Sequence, residues 1–165
     1  MYNLAMNYRK ASTEGDFILS FDLAKKAFSP TPDSNLNDWF SFEEMVNNIK
    51  NKRGVCLISS DKEDNGMIYA QQESPINGRE GLEKWVIIIT GVDPNHTGKG
   101  IGSFLLENLE KEIQLLGCKK LFTFTNKRDD KVINFYKKNG FVDAGWIKDY
   151  QYGEDNSAVF LLKYL

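Results

Sequence analysis

Apolar residues along this chain fall into two rhythms, short β-branched runs and stripes spaced three or four apart, and the two alternate from end to end. Residues 8–10 read as a short first strand. Ser12 or Thr13 caps a helix running to residue 28, with Phe17, Ile18, Phe21, Leu23, Ala24 and Phe28 on its apolar face. The stretch 29–34, with Pro30 and Pro32, breaks that helix and is too short to separate domains. Ser41 followed by Glu44 makes a capping box that opens a helix to residue 50. Strands at 54–60 and 67–72 follow, joined by a polar turn ending in Asn65-Gly66, a hairpin signal. Residues 74–81 read as a loop.

The run 85–92 is the central strand. Gly91 inside it predicts a bulge, because glycine weakens a strand. A turn through Asp93 and Pro94 leads to a glycine-rich loop and then a helix with apolar positions at Ile101, Leu105, Leu109, Ile113 and Leu116. A strand handing over to a helix through glycines builds an anion site. The amides of Gly98, Lys99, Gly100, Ile101 and Gly102 lack acceptors in the first helical turn and sit at the positive end of the helix dipole. Glycine also lets a phosphate reach the backbone without meeting a Cβ atom. Beyond it come a strand at 121–125 and a helix at 129–139 with Asp129 and Asp130 at its positive end. A hairpin of 141–152 and 158–162, turning through 153–156, closes the chain.

Spacing separates the phosphate-loop classes. A Walker loop needs four residues between its first glycine and Gly-Lys; here six residues, 92–97, separate Gly91 from Gly98. A dinucleotide fingerprint wants Gly or Ala at position 103, which is Ser, and a strand that runs almost directly into the first glycine. The segment 92–102 instead resembles the acetyl-CoA signature of the GNAT superfamily of N-acetyltransferases, Val-x-Pro-x-x-(Gln/Arg)-Gly-x-Gly-(Ile/Val)-(Gly/Ala). Thr97 stands where the family has Gln or Arg; its hydroxyl hydrogen-bonds an anion but cannot pair with its charge. Residues 129–141 resemble the family's later motif: Phe135, Tyr136, Gly140 and Phe141 match, while Asp129 replaces Asn and Val132 replaces Ala.

The resemblance implies an α/β (α+β) fold in one GNAT-like domain over residues 1–165. Its sheet is mixed and mostly antiparallel, with about six to seven strands flanked by about four helices and splayed at the central strand. It implies acetyl-CoA as co-substrate, held by Val92, Thr97, Gly98, Lys99, Gly100, Ile101, Gly102, Ser103, Asp129 and Tyr136. It also implies an acceptor pocket lined by the first helical pair, near Trp39, Phe40 and Phe42. Tyr136 matches the position whose phenol protonates the departing thiolate, a general-acid role. A main-chain N–H near Val92, beside the expected bulge, is the simplest donor to the oxyanion. Many relatives carry a Glu on the central strand as base. Residues 86–91 hold no carboxylate, which leaves water, bulk solvent or Glu73 at the end of the preceding strand. His96 reads as a solvent-facing loop residue rather than a base.

Composition narrows the partners. The chain has 165 residues, 41% of them hydrophobic, and a net charge of −2, so nothing draws it as a whole to nucleic acid or an anionic membrane. No apolar run is long enough to span a bilayer, and residues 1–13 lack a signal-peptide core. Cys56 and Cys118 form no metal-type cluster and suit a reduced, cytoplasmic protein; no metal is expected. Aromatics at Trp39, Trp146, Tyr150 and Tyr152, with Glu154 and Asp155, suit a cationic amine. A small-molecule amine is the first acceptor class. A protein N-terminus or lysine is the second, and a non-catalytic acyl-CoA-binding module is a third reading. Relatives often form homodimers, and the chain itself leaves its oligomeric state open.

Overall fold

The structure is a computed structural model and describes residues 6–29, 36–73, 83–151 and 155–165. The predicted loop at 74–81, most of the proline-containing break, and Tyr152 and Glu154 lie outside the described residues. Seven strands form one sheet in the order β1-β2-β3-β4-β5-β7-β6. They are β1 (Asn7–Lys10), β2 (Gly54–Ser60), β3 (Asp64–Gln72), β4 (Lys84–Val92), β5 (Lys120–Asn126), β6 (Val142–Ile147) and β7 (Ala158–Tyr164). Every neighbouring pair is antiparallel except β4 and β5. Four helices flank the sheet: α1 (Glu14–Phe28), α2 (Phe42–Lys50), α3 (Ile101–Gln114) and α4 (Asp130–Lys138).

The parallel β4–β5 pair is short. It runs from Lys84 opposite Lys120 to Val86 opposite Phe122 and then stops. Past Val86 the β4 edge has no partner on β5, so the sheet splits there, as the splay anticipated. β5 turns its other edge to β7 along its full length.

Each face of the sheet has its own core. On one face α3 covers β2, β3 and β4 with Ile101, Leu105, Leu109 and Ile113, and α4 adds Tyr136 against β7. On the other, α1 and α2 bury Phe17, Leu23, Ala24 and Met45 against Cys56, Ile58, Met67, Tyr69 and Ile89. Two expected core positions lie outside. Ile18 is 51% exposed because Ser20 and Phe17 take the buried side of α1, and Leu116 is exposed because α3 ends at Gln114, two residues before it.

Three local expectations are corrected. Asn65-Gly66 is not the hairpin turn: both residues belong to β3, and the chain turns at 61–63. Asn65 is buried, with Oδ1 accepting from Ser59 Oγ (2.8 Å) and its carbonyl accepting from the Asp93 amide (2.9 Å). Gly66 pairs with Val92 under α3, where a Cβ would sit 2.9 Å from Ile101 Cγ2. The bulge is not at Gly91, which pairs in register with Met67. It is at Ile88, which is skipped between Tyr69–Ile89 and Ala70–Ile87. Gly91 is glycine for a packing reason, since a Cβ there would stand 3.1 Å from Ala27 Cβ on α1. Third, β6 ends at Ile147, earlier than the expected hairpin arm, and Asp149 beyond it takes a positive φ of 50°.

Capping also redistributes. At α1 the full box is Thr13 with Asp16: Thr13 Oγ1 accepts from the Asp16 amide, and the Asp16 carboxylate accepts from the Thr13 amide. Asp16 also holds Arg9, which in turn pairs with Asp64 of β3. Burial raises the Asp16 pKa, but amide bonds from Ser12 and Thr13 outweigh it and bring the carboxyl down to about 2. At α2 only half of the expected box forms. Ser41 Oγ accepts from the Glu44 amide (3.2 Å), whereas the Glu44 carboxylate turns to Gln71 on β3.

Candidate active site

The loop between β4 and α3 begins with Asp93, which is 3% exposed and caps a 3-10 turn (Pro94–His96) by accepting from the Asn95 amide at 2.9 Å. Its carboxylate also pairs with Lys26 of α1. Lys26, and after it the Asn95 amide, hold the Asp93 carboxyl below its ordinary range. His96 is not the solvent-facing residue expected. Its side chain is 14% exposed, Nδ1 is buried without a hydrogen bond 3.7 Å from Asp93 Oδ2, and Nε2 lies 3.4 Å from Glu63 Oε1. The ring lies between Asp93 of its own loop and Glu63 of the turn before β3. Lys26→Gln is therefore expected to loosen the loop and weaken acetyl-CoA binding in calorimetry at low salt. The loss should stay below roughly tenfold, because the Lys26 head is largely solvated.

Gly98 and Gly100 take φ values of 77° and 83°, the left-handed region that L side chains avoid. Nothing lies within 4 Å of where a Cβ would be at either position, so the loop presents bare backbone to open space. Gly100 is the N-cap of α3 and no side chain caps the helix. The Thr97 hydroxyl does not fill the role either; it bonds back to the Pro94 carbonyl at 3.2 Å. This is the geometry of an anion site: amides at a helix start, dipole behind them, and room in front. Gly102 differs from its two neighbours. Its missing Cβ accommodates the Phe135 ring of α4, which would be 3.2 Å away, so its lack of a side chain serves helix packing while its amide stays in the first turn. Ile101 is buried beneath the loop; Lys99 is exposed, and Ser103 and Val92 are half-buried.

Tyr136 on α4 reaches the split in the sheet. Its ring is buried (5% exposed) between Phe135 and Phe141, and its hydroxyl lies 3.1 Å from Thr90 Oγ1 on β4 and bonds to the Thr123 side chain on β5. The phenol thus stands between the two strands just where they part. Burial raises its pKa, and the two threonine contacts pull the other way. Asp129, the other residue predicted from this motif, is the N-cap of α4 and accepts from the Val132 amide at 3.1 Å. Its carboxylate is used to start the helix.

Glu73 is not brought to this centre. Its amide bonds to the Lys84 carbonyl at the start of β4, six residues from Thr90, which is about 20 Å along a strand. The aromatics expected to share a face divide into two groups. Trp39 packs on Phe28 and Phe40, whereas Tyr150 packs on Phe124 and Phe160, and Trp146 lies under Lys127. Of the expected acceptor aromatics, Phe40 is buried against Phe21 and Tyr69, and Phe42 sits edge-on to Phe21, so Trp39 alone of the three is largely exposed (45%).

A pocket of about 70 Å³ opens on the α2 face, with Trp39, Phe40, Glu44, Tyr69, Gln71 and Ile88 in its lining. Ile88 is the bulged residue of β4, so this pocket adjoins the strand near the split. The sequence singled out Glu44 only as a capping residue. The signal that would have found it is its closeness in sequence to Trp39 and Phe40, just inside the helix that follows them, but a capping role accounted for it first.

Cys56 and Cys118 are free thiols, both pushed up to about 12 by burial and so unsuited to nucleophilic work. Among the described residues no group of three or more His, Cys, Asp and Glu could hold a metal ion, and no helix is long and apolar enough to cross a membrane.

The Acetyltransferase (GNAT) family profile matches residues 20–141. An acetyltransferase of Yersinia pestis (strain Pestoides F) is 32% identical over 76 residues, 46% of this chain and 51% of that protein. The chain thus spans about half the length of the curated relatives it matches. Among solved structures, the ribosomal-protein-alanine N-acetyltransferase of Brucella melitensis superposes with a TM-score of 0.78 at 20% identity, covering 96% of this chain and 99% of that one. An aminoglycoside 6'-N-acetyltransferase complexed with coenzyme A gives 0.74 at 18% identity, covering 96% of each chain. At these identities the superpositions establish the fold, and the profile establishes kinship: with three-quarters of its length matched, this chain belongs to the GNAT family of acetyltransferases.

Proposed function

We propose that the protein transfers the acetyl group of acetyl-CoA to the primary amine of a small molecule. One observation carries this reading: the two open, left-handed glycines Gly98 and Gly100 precede an uncapped helix beside a sheet that parts at Tyr136. The amides from Gly98 to Ser103 hold the pyrophosphate. The β4 edge past Val86, which lacks a partner on β5, takes the amide groups of the pantetheine arm and brings the thioester to Thr90 and Tyr136. Thr97 and Asp129 contribute through the loop turn and the start of α4 rather than through charge.

The neutral amine attacks the thioester carbonyl carbon. The C–N bond forms as the carbonyl electrons move to oxygen, where a β4 main-chain N–H between Ile88 and Val92 receives them. When the oxyanion collapses, the C–S bond breaks and sulfur leaves with its electron pair. Tyr136 gives its proton to that thiolate and regains one from the nitrogen through water. The products are the N-acetyl amide and free coenzyme A. With Glu73 remote, no carboxylate of the preceding strand end takes part.

A reduced, cytoplasmic setting, a single domain over the whole chain and a homodimer belong to the same proposal. The test is release of free thiol from acetyl-CoA with a panel of small amines and of peptides bearing free N-termini or lysines. Turnover with small amines supports the reading. Turnover with peptides alone would move the acceptor to proteins, and acetyl-CoA binding without turnover on any acceptor would make the chain a binding module.

A further inference from the structure

We propose that Glu44 selects the acceptor, making the pocket beside Ile88 a site for a small cationic amine without a carboxylate on its α-carbon. The inference rests on the acetyl-transfer reading for its chemistry. Glu44 stands in the first turn of α2, where its amide bonds to Ser41, and is an exposed residue in the lining of the pocket. The carboxylate is oriented by a chain of side chains. Gln71 Nε2 donates to Glu44 Oε1 at 3.2 Å, and Gln71 Oε1 accepts from Tyr69 Oη at 2.6 Å and from Asn48 Nδ2 at 2.9 Å. Tyr69 is buried in the core, so the amide of Gln71 is locked from behind and presents its nitrogen forward. A fixed amide dipole behind a carboxylate holds it in place without neutralising it.

Among the described residues no lysine, arginine or histidine pairs with Glu44, although most other carboxylates around α1, the phosphate loop and α3 have such a partner. A negative group with an amide donor behind it and aromatic rings of Trp39 and Phe40 beside it suits an ammonium ion, by charge and by ring-face attraction. It disfavours a second carboxylate, which would meet like charge at the exposed Glu44 head. The pocket is small, so an ammonium held by Glu44 is already beside Ile88 at the bulge of β4; it gives its extra proton to solvent at the pocket mouth and attacks as the neutral amine. Glu44 is thus the acidic group that β4 itself lacks, supplied from the neighbouring helix.

Two matched pairs of acceptors test this: phenethylamine against phenylalanine, and n-pentylamine against norleucine, each pair differing by one carboxylate. Binding is measured by calorimetry in the presence of coenzyme A, and acetylation by kcat/KM. The wild type is expected to favour the bare amine of each pair by about five- to tenfold. Glu44→Gln should lower binding and kcat/KM for the bare amines by roughly three- to tenfold, since the Glu44 head is exposed, and erase most of the preference. Glu44→Lys should turn the preference toward the amino acids. Acetyl-CoA affinity, measured in the same variants, serves as the check that the fold is intact. Acetylation with the same preference in Glu44→Gln would overturn the role of Glu44 and leave acetyl transfer standing. Amine binding that depends on Glu44 but yields no acetylated product would sustain the cation site and sink the transferase reading. Binding of none of the four compounds would overturn the inference.

Discussion

Gly100→Glu is expected to abolish acetyl-CoA binding while leaving the protein folded. A side chain at this position meets no atom within 4 Å, so the fold has room for it. The residue would have to hold φ near 83°, which costs about 1–2 kcal/mol for an L-amino acid. That strain is common to the free and bound protein and does not weaken affinity by itself. The carboxylate does. It would project into the space where the diphosphate belongs, setting like charges together at a cost of about 3 kcal/mol or more, a loss of at least roughly a hundredfold in affinity. Gly100→Ala separates the two effects, because it carries the strain without the charge. Calorimetry should find Gly100→Ala within a few-fold of wild type and Gly100→Glu without measurable heat. Equal affinity for all three proteins would mean that coenzyme A does not use this loop.

Tyr136→Phe should lower the rate of acetyl transfer by about 10²–10⁴-fold, the range for loss of a positioned acid, with little change in acetyl-CoA affinity. The hydroxyl faces Thr90 and Thr123, not the glycine loop, so its removal leaves the anion site alone. Single-turnover measurements, in which chemistry limits the rate, give the relevant constant. An unchanged single-turnover rate would remove Tyr136 from the mechanism. The pH dependence adds a second check. Because burial raises the phenol pKa above its ordinary value near 10, Tyr136 stays protonated through the alkaline range, and its loss of a proton should cause no fall in rate below about pH 10.

What could be read from the chain was the part governed by local rules. The period of apolar residues gave α1 to α4 within a residue or two, and the turn residues bounded most of the strands, because caps and stripes are short-range physics. The glycines were harder. Gly91 looked like a bulge and Gly66 like a turn, yet both are glycine because a helix packs directly on the strand, a contact between residues more than thirty positions apart. The bulge fell at Ile88, where nothing in the residue type announces it. Glu44 was legible as a cap and illegible as a pocket wall, since its partner Gln71 is 27 residues away. His96 likewise looked exposed because the loop around it is polar; Asp93 lies against it within the same turn, and the fold adds Glu63.

Only three rungs join β4 to β5 in the sheet, while one core beneath α3 runs across both sides of the split. Strands β1 to β4 carry α1, α2 and α3, and with them the glycine loop and the Glu44 pocket; strands β5 to β7 carry α4 and Tyr136. In the proposed reaction the phenol and the glycine loop therefore come from opposite sides of the split. Their alignment is kept by the short ladder, by the shared core, by the Lys163–Glu110 ion pair between β7 and α3, by the Phe135 ring seated on Gly102, and by the phenol's contact with Thr90. On the proposed chemistry, the rate of transfer is open to tuning by residues at this seam that no reactant ever meets.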